Sequence, residues 1–233
     1  MQPAYNVKEV KSNLEVAKNI YKLVIDKVCK GNPGQFYMIR GWEKEPLLLR
    51  PLSINDIEDD KVSFLYEVKG EGTRLLSHLK EGDKVELLGP LGNGFNIEKV
   101  KGKVAIVAGG IGIAPLLYTI KSLKECSIDL YAGFREKSYG IDSVKSILNK
   151  ITIATDNGDE GHRGFITDVF NPKGYDMVLC CGPEIMMKKV VNMCISEEVE
   201  IYVSMESSMA CGVGACLVCT CKTKDGNKRV CKE

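Results

Sequence analysis

Cysteines are concentrated in the last part of this sequence, in a pattern that suits metal binding. Four of them follow the spacing Cys-x4-Cys-x2-Cys with a distant fourth, namely Cys211, Cys216, Cys219 and Cys231. A [2Fe–2S] cluster needs four thiolates, two for each iron, and this spacing is one of those that supply them. The sequence therefore predicts a [2Fe–2S] cluster within residues 211–231.

The residues between these cysteines favour the same interpretation. Gly212, Gly214 and Ala215 are small enough for the backbone to wrap around a cluster and point N–H groups at its sulfurs. Structural zinc and unliganded thiols are the alternatives, although zinc sites favour two Cys-x2-Cys pairs and this segment has one. Cys221 is interpreted as a non-ligand that lies near enough to replace a neighbour.

Outside this segment the chain shows no comparable set of reactive side chains. No Ser/His/Asp set or carboxylate pair stands out, His78 and His162 are interpreted as surface residues, and no catalytic residue is predicted. The other cysteines are interpreted mostly as small buried apolar residues. They are Cys29, Cys126, Cys180, Cys181 and Cys194.

Two short motifs in the first half of the chain suit a flavin nucleotide. Arg50-Pro51-Leu52-Ser53 ends a strand; arginine can bind a pyrophosphate bidentately, and a serine three residues on can hydrogen-bond near the flavin N5. Gly70-Glu71-Gly72-Thr73 opens a short helix, where backbone N–H groups bind phosphate and glycine allows close approach. Taken alone, the first motif can also be an exposed arginine before a turn, and the second an ordinary N-capped turn. The two motifs together, in this order, are a more specific indication of a flavin nucleotide than either alone.

Two glycine-containing turns farther along suit a nicotinamide dinucleotide. Ala108-Gly109-Gly110-Ile111-Gly112-Ile113-Ala114-Pro115 follows a buried strand and opens a helix, which is the place for a phosphate-binding loop. Cys181-Gly182-Pro183 also lies between a strand and a helix. On neighbouring strands, the two loops would flank a cleft at the carboxyl edge of a sheet. The first loop departs from Gly-x-Gly-x-x-Gly, and each can also be a simple tight turn.

The composition is that of a globular protein. Hydrophobic residues make up 44% and charged residues 27% of the chain, and the net charge of +1 points to neither nucleic acid nor an anionic membrane as partner. No apolar run is long enough to span a bilayer, and the N-terminal residues lack the apolar core of a secretory signal. We expect a cytoplasmic protein whose thiols stay reduced.

Residue patterning predicts three domains that position these motifs. Residues 1–97 read as short strands separated by turns, which predicts an antiparallel β-barrel with one helix beginning near Thr73. Residues 98–203 alternate strands and helices, which predicts a doubly wound parallel sheet of an α/β domain. Residues 204–233 lack an apolar core and must fold around a bound group.

The individual elements follow from the same patterns. In the barrel, strands are predicted at 20–25, 35–39, 47–54, 62–68 and 84–88. In the α/β domain, strands are predicted at 104–108, 128–131, 151–154, 177–180 and 201–203, and helices at 115–124, 143–148 and 183–194.

The order of these elements resembles the ferredoxin–NADP reductase superfamily. The segment Met205-Glu206-Ser207-Ser208-Met209-Ala210-Cys211 resembles more closely the electron-transfer subunits of class 1B dihydroorotate dehydrogenases. So do Pro33-Gly34-Gln35-Phe36 and Thr155-Asp156-Asn157-Gly158, and the resemblance covers essentially the whole chain.

This resemblance implies specific cofactor contacts. It implies that FAD, NAD and a [2Fe–2S] cluster are bound, the cluster by the four cysteines of the Cys-x4-Cys-x2-Cys pattern and its distant partner. The implied FAD contacts are Arg50, Pro51, Leu52, Ser53, Leu65, Tyr66, Glu67, Gly72 and Thr73. The nicotinamide contacts are expected at Gly109, Gly110, Gly112, Cys181, Gly182 and Pro183.

The resemblance also implies a division of labour. A separate FMN-containing catalytic subunit oxidises dihydroorotate in pyrimidine (UMP) biosynthesis, and this chain, which does not oxidise dihydroorotate alone, passes the electrons through [2Fe–2S] and FAD to NAD⁺ within a heterotetramer. A flavin must lie between the cluster and NAD⁺, because clusters carry single electrons and nicotinamide accepts hydride. A reductase subunit serving ferredoxin or sulfide chemistry, and a zinc-stabilised nucleotide-binding module, are the alternatives.

Two departures from the family pattern bear on the cluster. The sequence ends two residues after Cys231, where the family usually continues, so we expect a frayed or partly exposed fourth ligand. Leu217-Val218 stands where family members often have an aromatic residue and alanine, which is expected to alter packing without abolishing ligation.

Overall fold

The computed structural model describes residues 3–26 and 31–233, which divide into two compact units. One unit contains the residues up to Gly94 together with Met205–Glu233, and the other is Phe95–Ser204. A separate domain was expected at 204–233, but residues 205–233 group with the first unit because their buried side chains pack on its strands. Cys29 lies outside the described residues.

The first unit is built on a closed antiparallel barrel, as predicted. The strand order is β1-β2-β5-β4-β3-β6, and pairing of β1 with β6 closes it. The strands are β1 (Ala4–Ala17), β2 (Ile20–Asp26), β3 (Phe36–Arg40), β4 (Arg50–Glu58), β5 (Lys61–Glu67) and β6 (Lys84–Leu91). Helix α1 (Glu71–Ser77) connects β5 to β6 and begins two residues before the predicted Thr73.

Strand β1 was not predicted, although it is the longest strand of the barrel at 14 residues. Its sequence is rich in charged residues because most of it lies at the surface: Val7 and Leu14 are exposed, and Val10 alone is fully buried. A strand with one face in solvent and few buried positions gives little periodic apolar signal. A two-residue turn at Lys18 and Asn19, the latter with a φ of 61°, leads directly into β2.

The second unit is a six-stranded parallel sheet. Its strand order is β10-β9-β8-β7-β11-β12. The strands are β7 (Gly102–Gly109), β8 (Cys126–Phe134), β9 (Lys150–Thr155), β10 (His162–Arg163), β11 (Met177–Cys181) and β12 (Glu200–Val203). The chain runs outward from β7 to β10 and then returns to β11 on the other side of β7, so the direction of winding reverses between β7 and β11.

Two helices cover this sheet. Helix α2 (Ile113–Ser122) follows β7, and helix α3 (Glu184–Ser196) follows β11. Because right-handed crossovers leave β7 and β11 in opposite directions, the two helices lie on opposite faces. Within residues 3–26 and 31–233, no helix has the length and apolar character that a membrane crossing requires.

The prediction of a helix at 143–148 is wrong. The segment forms two short 3₁₀ turns, Ile141–Ser143 and Lys145–Ile147, which are separated by Val144 with φ −125° and ψ −3°. Because Val144 departs from helical backbone angles, the two turns do not continue into one helix, although the Val144 side chain is fully buried.

A buried polar network lies near the amino ends of the parallel strands. Asp129, only 3% exposed, accepts hydrogen bonds from the Tyr175 hydroxyl at 2.7 Å and from the Asn149 side chain at 2.9 Å. The hydroxyls of Tyr131 and Tyr175 are 2.9 Å apart. Such satisfied networks specify one packing of a core. This one lies at the edge opposite to the glycine loops.

Candidate functional site

The C-terminal cysteine segment rests on one face of the barrel. Cys219 and Cys231 are 2% and 3% exposed and pack with three buried barrel residues, Phe36, Met38 and Leu91. A short antiparallel hairpin, β13 (Thr220–Thr223) and β14 (Gly226–Arg229), separates the two cysteines along the chain. The backbone N–H of Val230 donates to the Cys219 carbonyl at 3.1 Å, so the residues after the hairpin lie beside the residues before it.

This arrangement brings two thiols together. The Sγ atoms of Cys219 and Cys231 are 3.2 Å apart, and neither cysteine is in a disulfide. Burial, together with the neighbouring Cys219, raises the pKa of Cys231 to about 11. Two thiols this close in an apolar setting resist ionising together unless a cation is placed between them.

Cys211 occupies a different environment, at the start of the cysteine loop. The backbone N–H groups of Ala215 and Cys216 point at its Sγ from 3.3 and 3.4 Å. Burial raises the pKa of Cys211, but hydrogen bonds from the N–H groups of Cys216, Val213 and Ala215 outweigh it and lower the pKa to about 6. The loop can fold back in this way because Gly212 and Gly214 have φ values of 69° and 83°.

These observations fit a [2Fe–2S] cluster better than a random collection of thiols. One pair of cysteines meets in a buried pocket, and backbone N–H groups converge on a third thiol, as an anionic cluster requires. Among the residues that the structure describes, no three or more His, Cys, Asp or Glu side chains are grouped to hold a metal ion; the contacts described join the four predicted ligands as two pairs, Cys219 with Cys231 and Cys211 with the backbone N–H of Cys216. Cys216 is exposed, and Cys221 lies in β13 opposite Lys228.

The expectation of a frayed fourth ligand is wrong. Cys231 is buried, because the turn that follows it is fixed by hydrogen bonds from the N–H groups of Lys232 and Glu233 to the Arg229 carbonyl, both at 2.9 Å. Leu217 and Val218 are 61% and 53% exposed, and Leu217 has a φ of 62°, unusual for a leucine. Both side chains thus lie mostly in solvent, outside the cluster of buried residues that contains Cys219 and Cys231.

The flavin motifs meet in the first unit. Gly72 in α1 lies against the side chain of Arg50 at the start of β4: a Cβ on Gly72 would be 2.4 Å from Arg50 Nε. The Arg50 guanidinium also donates to the Leu48 carbonyl and lies over the Trp42 ring, 5.5 Å from its centroid. The structure therefore holds this guanidinium beside the first turn of α1, where a pyrophosphate would find both a cation and backbone N–H groups.

The other predicted flavin residues have structural roles as well. The Thr73 hydroxyl accepts from the N–H groups of Lys69 and Gly70 at 3.0 and 3.1 Å and so fixes the start of α1. The Tyr66 side chain is buried and donates to Asn13 at 3.1 Å, which leaves the strand backbone from 65 to 67 as the part that can face a ligand. The motif from Arg50 to Ser53 was expected to end a strand, but it begins β4 (Arg50–Glu58), where it pairs with β3.

The two loops expected to contact nicotinamide lie side by side. They follow β7 and β11, which are neighbouring parallel strands, at the point where the winding of the sheet reverses. Dinucleotides bind at such positions in open α/β sheets. The glycines permit the contact: a Cβ on Gly112 would be 2.5 Å from the Cys181 carbonyl oxygen, and one on Gly182 would be 2.9 Å from the Gly109 backbone.

One side of this loop pair is closed and the other is open. A Cβ on Gly109 would lie 2.7 Å from Pro183 and 2.6 Å from Met186, whereas one on Gly110 would meet no atom within 4 Å. Gly110, with a φ of 53°, thus presents backbone to free space, as a phosphate-binding loop must. The Cys181 side chain is fully buried, so only its backbone can take part.

The remaining predictions outside the sites are largely confirmed. His78 and His162 are exposed, at the end of α1 and in β10. Cys180, Cys181 and Cys194 are fully buried, and Cys126 is half-buried. Sequence reasoning missed Trp42 and Arg229, which contact site residues; Trp42 is the one tryptophan in the chain, and Arg229 stands two residues before a predicted ligand.

Comparison with known proteins agrees with this geometry. Residues 206–233 match the family described as the iron–sulfur cluster binding domain of dihydroorotate dehydrogenase B. The electron transfer subunit of dihydroorotate dehydrogenase B (NAD(+)) from Clostridium acetobutylicum is 54% identical over 233 residues, which cover 100% of this chain and 95% of the relative. The chain belongs to this family of electron transfer subunits. The protein of the same description from Clostridium perfringens is 49% identical over 97% of this chain and 92% of its own length.

A solved structure extends the likeness to three dimensions. An NADH-dependent reduced ferredoxin–NADP oxidoreductase, studied for flavin-based electron bifurcation, is 31% identical to this chain with a TM-score of 0.88. The match covers 97% of this chain and 86% of the other. The ferredoxin–NADP reductase architecture expected from the sequence is therefore confirmed.

Proposed function

We propose that this chain is the electron transfer subunit of an NAD⁺-dependent dihydroorotate dehydrogenase and binds FAD, NAD⁺ and one [2Fe–2S] cluster. The observation that carries the proposal is the cysteine segment, which combines a buried pair of thiols with a loop whose N–H groups donate to a third thiol. The whole chain also matches a protein described as such a subunit. When bound, the flavin supplies the chemistry that joins one-electron transfer from a cluster to hydride transfer to nicotinamide.

The chain's own residues would hold the cluster through four thiolates. Cys219 and Cys231, whose sulfurs are 3.2 Å apart, suit one iron, and Cys211 with Cys216 suits the other. The apolar residues around the buried pair exclude water, and the N–H groups near Cys211 stabilise negative charge on the sulfurs.

The barrel would bind FAD through Arg50 and the first turn of α1. The guanidinium, positioned by Trp42 and by the space that Gly72 leaves, would take the pyrophosphate. Ser53 and the β5 backbone from Leu65 to Glu67 would contact the ring and its linker, as the family resemblance implies. NAD⁺ would bind in the other unit over the open face of Gly110, with Gly182 and Pro183 alongside.

The partner would be an FMN-containing catalytic subunit that oxidises dihydroorotate, and the assembly a heterotetramer. The family description names an electron transfer subunit, which presupposes a catalytic one. The free thiols suit a reducing compartment, and on that ground we place the protein in the cytoplasm.

A reductase subunit that serves ferredoxin is the second candidate. It is favoured by the 31% identity to the ferredoxin–NADP oxidoreductase structure. The 54% identity to a dihydroorotate dehydrogenase subunit and the family match over 206–233 favour the first.

Reconstitution tests the function. The purified chain is mixed with the catalytic subunit of a dihydroorotate dehydrogenase B, and NADH formation from dihydroorotate is followed. Neither protein alone should form NADH, and the mixture should. A catalytic subunit that reduces an artificial acceptor, yet forms no NADH with this chain, would rule the proposal out; reduction of ferredoxin by the chain instead would support the second candidate.

A further inference from the structure

Arg229, at the end of β14, holds the cysteine loop through one peptide group. Its Nη1 donates to the carbonyl of Gly214 at 2.8 Å. That carbonyl belongs to the same peptide group as the N–H of Ala215, which donates to Cys211 Sγ at 3.3 Å. A single rigid peptide plane thus joins the guanidinium on one side to a predicted cluster ligand on the other.

The guanidinium itself is held in place by Glu233. Arg229 Nε lies 3.0 and 2.9 Å from the two Glu233 carboxylate oxygens, Nη2 is also bonded to that carboxylate, and the Arg229 backbone N–H donates to it at 2.6 Å. The arginine therefore uses one edge of its fork for Glu233 and keeps Nη1 for Gly214. A lysine ammonium has no such fixed fork.

Close packing around Gly214 leaves this peptide little freedom. Gly214 has a φ of 83°, and a Cβ there would be 3.3 Å from Arg229 Nη1 and 3.2 Å from Lys232 Cβ. The Gly214 N–H is directed at Cys231, so both peptide groups of this glycine serve the cysteines. Arg229 also lies within electrostatic range of Cys219 and Cys231.

We propose that Arg229 is a positioning residue of the cluster site, which orients and polarises the Gly214–Ala215 peptide so that its N–H stabilises negative charge at Cys211. The inference rests on the proposed [2Fe–2S] site. A hydrogen bond accepted by the carbonyl polarises the N–H of the same peptide and strengthens the bond it donates. Since the reduced cluster carries one more negative charge than the oxidised one, a stronger donor favours the reduced form and raises the reduction potential.

The test is a reduction-potential titration of the cluster in the full chain. The midpoint potential is measured by EPR under anaerobic conditions for the wild type and for Arg229→Gln, Arg229→Lys and Lys228→Gln. Lys228 is the matched control because it is a cation on the same strand that acts on Glu233 through its charge but has no described hydrogen bond to the Gly214 carbonyl. At the wild-type midpoint, Arg229→Gln should lower the ratio of reduced to oxidised cluster by about threefold to tenfold, the effect of weakening one charge-assisted hydrogen bond.

The variants separate position from charge. Arg229→Lys keeps the charge but not the fork and should give an intermediate shift, while Lys228→Gln should stay within about twofold of the wild type. An unshifted Arg229→Gln, or an equal shift in Lys228→Gln, would overturn the proposal. If Arg229→Gln fails to load the cluster, Arg229→Lys decides: a lower potential supports the role, and a wild-type potential contradicts it. A wild type without iron and sulfide would overturn both this inference and the proposed function.

Discussion

The four predicted ligands show how local environment divides one residue type into different roles. Backbone N–H groups lower the pKa of Cys211 to about 6, while burial beside a second thiol raises that of Cys231 to about 11. The first environment is ready to hold a negative sulfur, and the second requires a metal before its sulfurs can ionise. The two environments are complementary, since an iron–sulfur cluster supplies the positive charge that the buried pair lacks.

At the same scale, Gly72 is expected to control flavin binding through Arg50. Replacing it by alanine puts a methyl group 2.4 Å from Arg50 Nε, so the guanidinium must move away from the start of α1. Gly72→Ala should weaken FAD binding about tenfold or more, because an arginine–pyrophosphate contact is a strong charge-assisted one. The affinity is measured by titrating the apoprotein with FAD and following flavin fluorescence.

Gly70→Ala is the matched control for this experiment. Gly70 precedes the same helix, has an extended backbone with a φ of −156°, and a Cβ there would meet no atom within 4 Å. Because its added methyl group leaves Arg50 in place, Gly70→Ala should lose less FAD affinity than Gly72→Ala. Equal affinity of the Gly72→Ala variant and the wild type would show that the position of Arg50 does not matter to the flavin.

At the scale of elements, the reversal of winding between β7 and β11 brings together the two loops over which we propose that NAD⁺ binds. The glycine loop after β7 and the Cys-Gly-Pro turn after β11 touch through their backbones, so each fixes the position of the other. The sequence placed both loops between a strand and a helix correctly. It did not show that the strands are neighbours, because strand order depends on contacts between residues distant in the chain.

Gly112→Ala tests this contact. Gly112 has helical angles that alanine accepts, φ −60° and ψ −11°, so the cost is steric: its Cβ would be 2.5 Å from the Cys181 carbonyl oxygen. Overpacking against backbone should reduce the free energy of unfolding of this unit by about 1–3 kcal/mol. Calorimetric unfolding measures it, and the NADH affinity should fall in parallel.

Gly174→Asn provides the comparison for this variant. Gly174 is in a turn of the same unit, with a φ of 84° that asparagine tolerates, and a Cβ there would meet no atom within 4 Å. The free energy of unfolding of Gly174→Asn should change little from that of the wild type. If Gly112→Ala unfolds like Gly174→Asn, the loops do not depend on their mutual contact.

Prediction from the sequence succeeded where one type of residue dominates an element. The buried apolar strands β7 and β11 were predicted correctly, and the cysteine spacing indicated an iron–sulfur cluster, because each gives a strong local signal. Strand β1 was not predicted because only its Val10 is fully buried, which leaves little apolar periodicity. A helix was wrongly predicted at 143–148, where the non-helical backbone of Val144 separates two short turns. Arg229 could not be assigned a role, since its partner Gly214 is 15 residues away and is brought near by the hairpin.

At the scale of the whole molecule, three bound groups are distributed over two compact units. The barrel unit carries the flavin motifs and the cysteine segment together, because residues 205–233 return to pack on its strands. The α/β unit carries the nicotinamide loops. Nicotinamide accepts hydride, whereas a cluster carries single electrons. Electrons can therefore move between NADH and the cluster only when the barrel unit holds FAD and the cluster and the α/β unit holds the nicotinamide nucleotide.

The most direct test is the visible absorption spectrum of the anaerobically purified protein before and after addition of NADH. We expect a flavin band superimposed on broad iron–sulfur absorption, with both bleaching when NADH is added, because electrons from nicotinamide should reach the cluster within this chain. A flavin spectrum without the iron–sulfur component would contradict the assignment of the cysteine segment. A colourless protein that contains zinc would contradict the proposed function altogether.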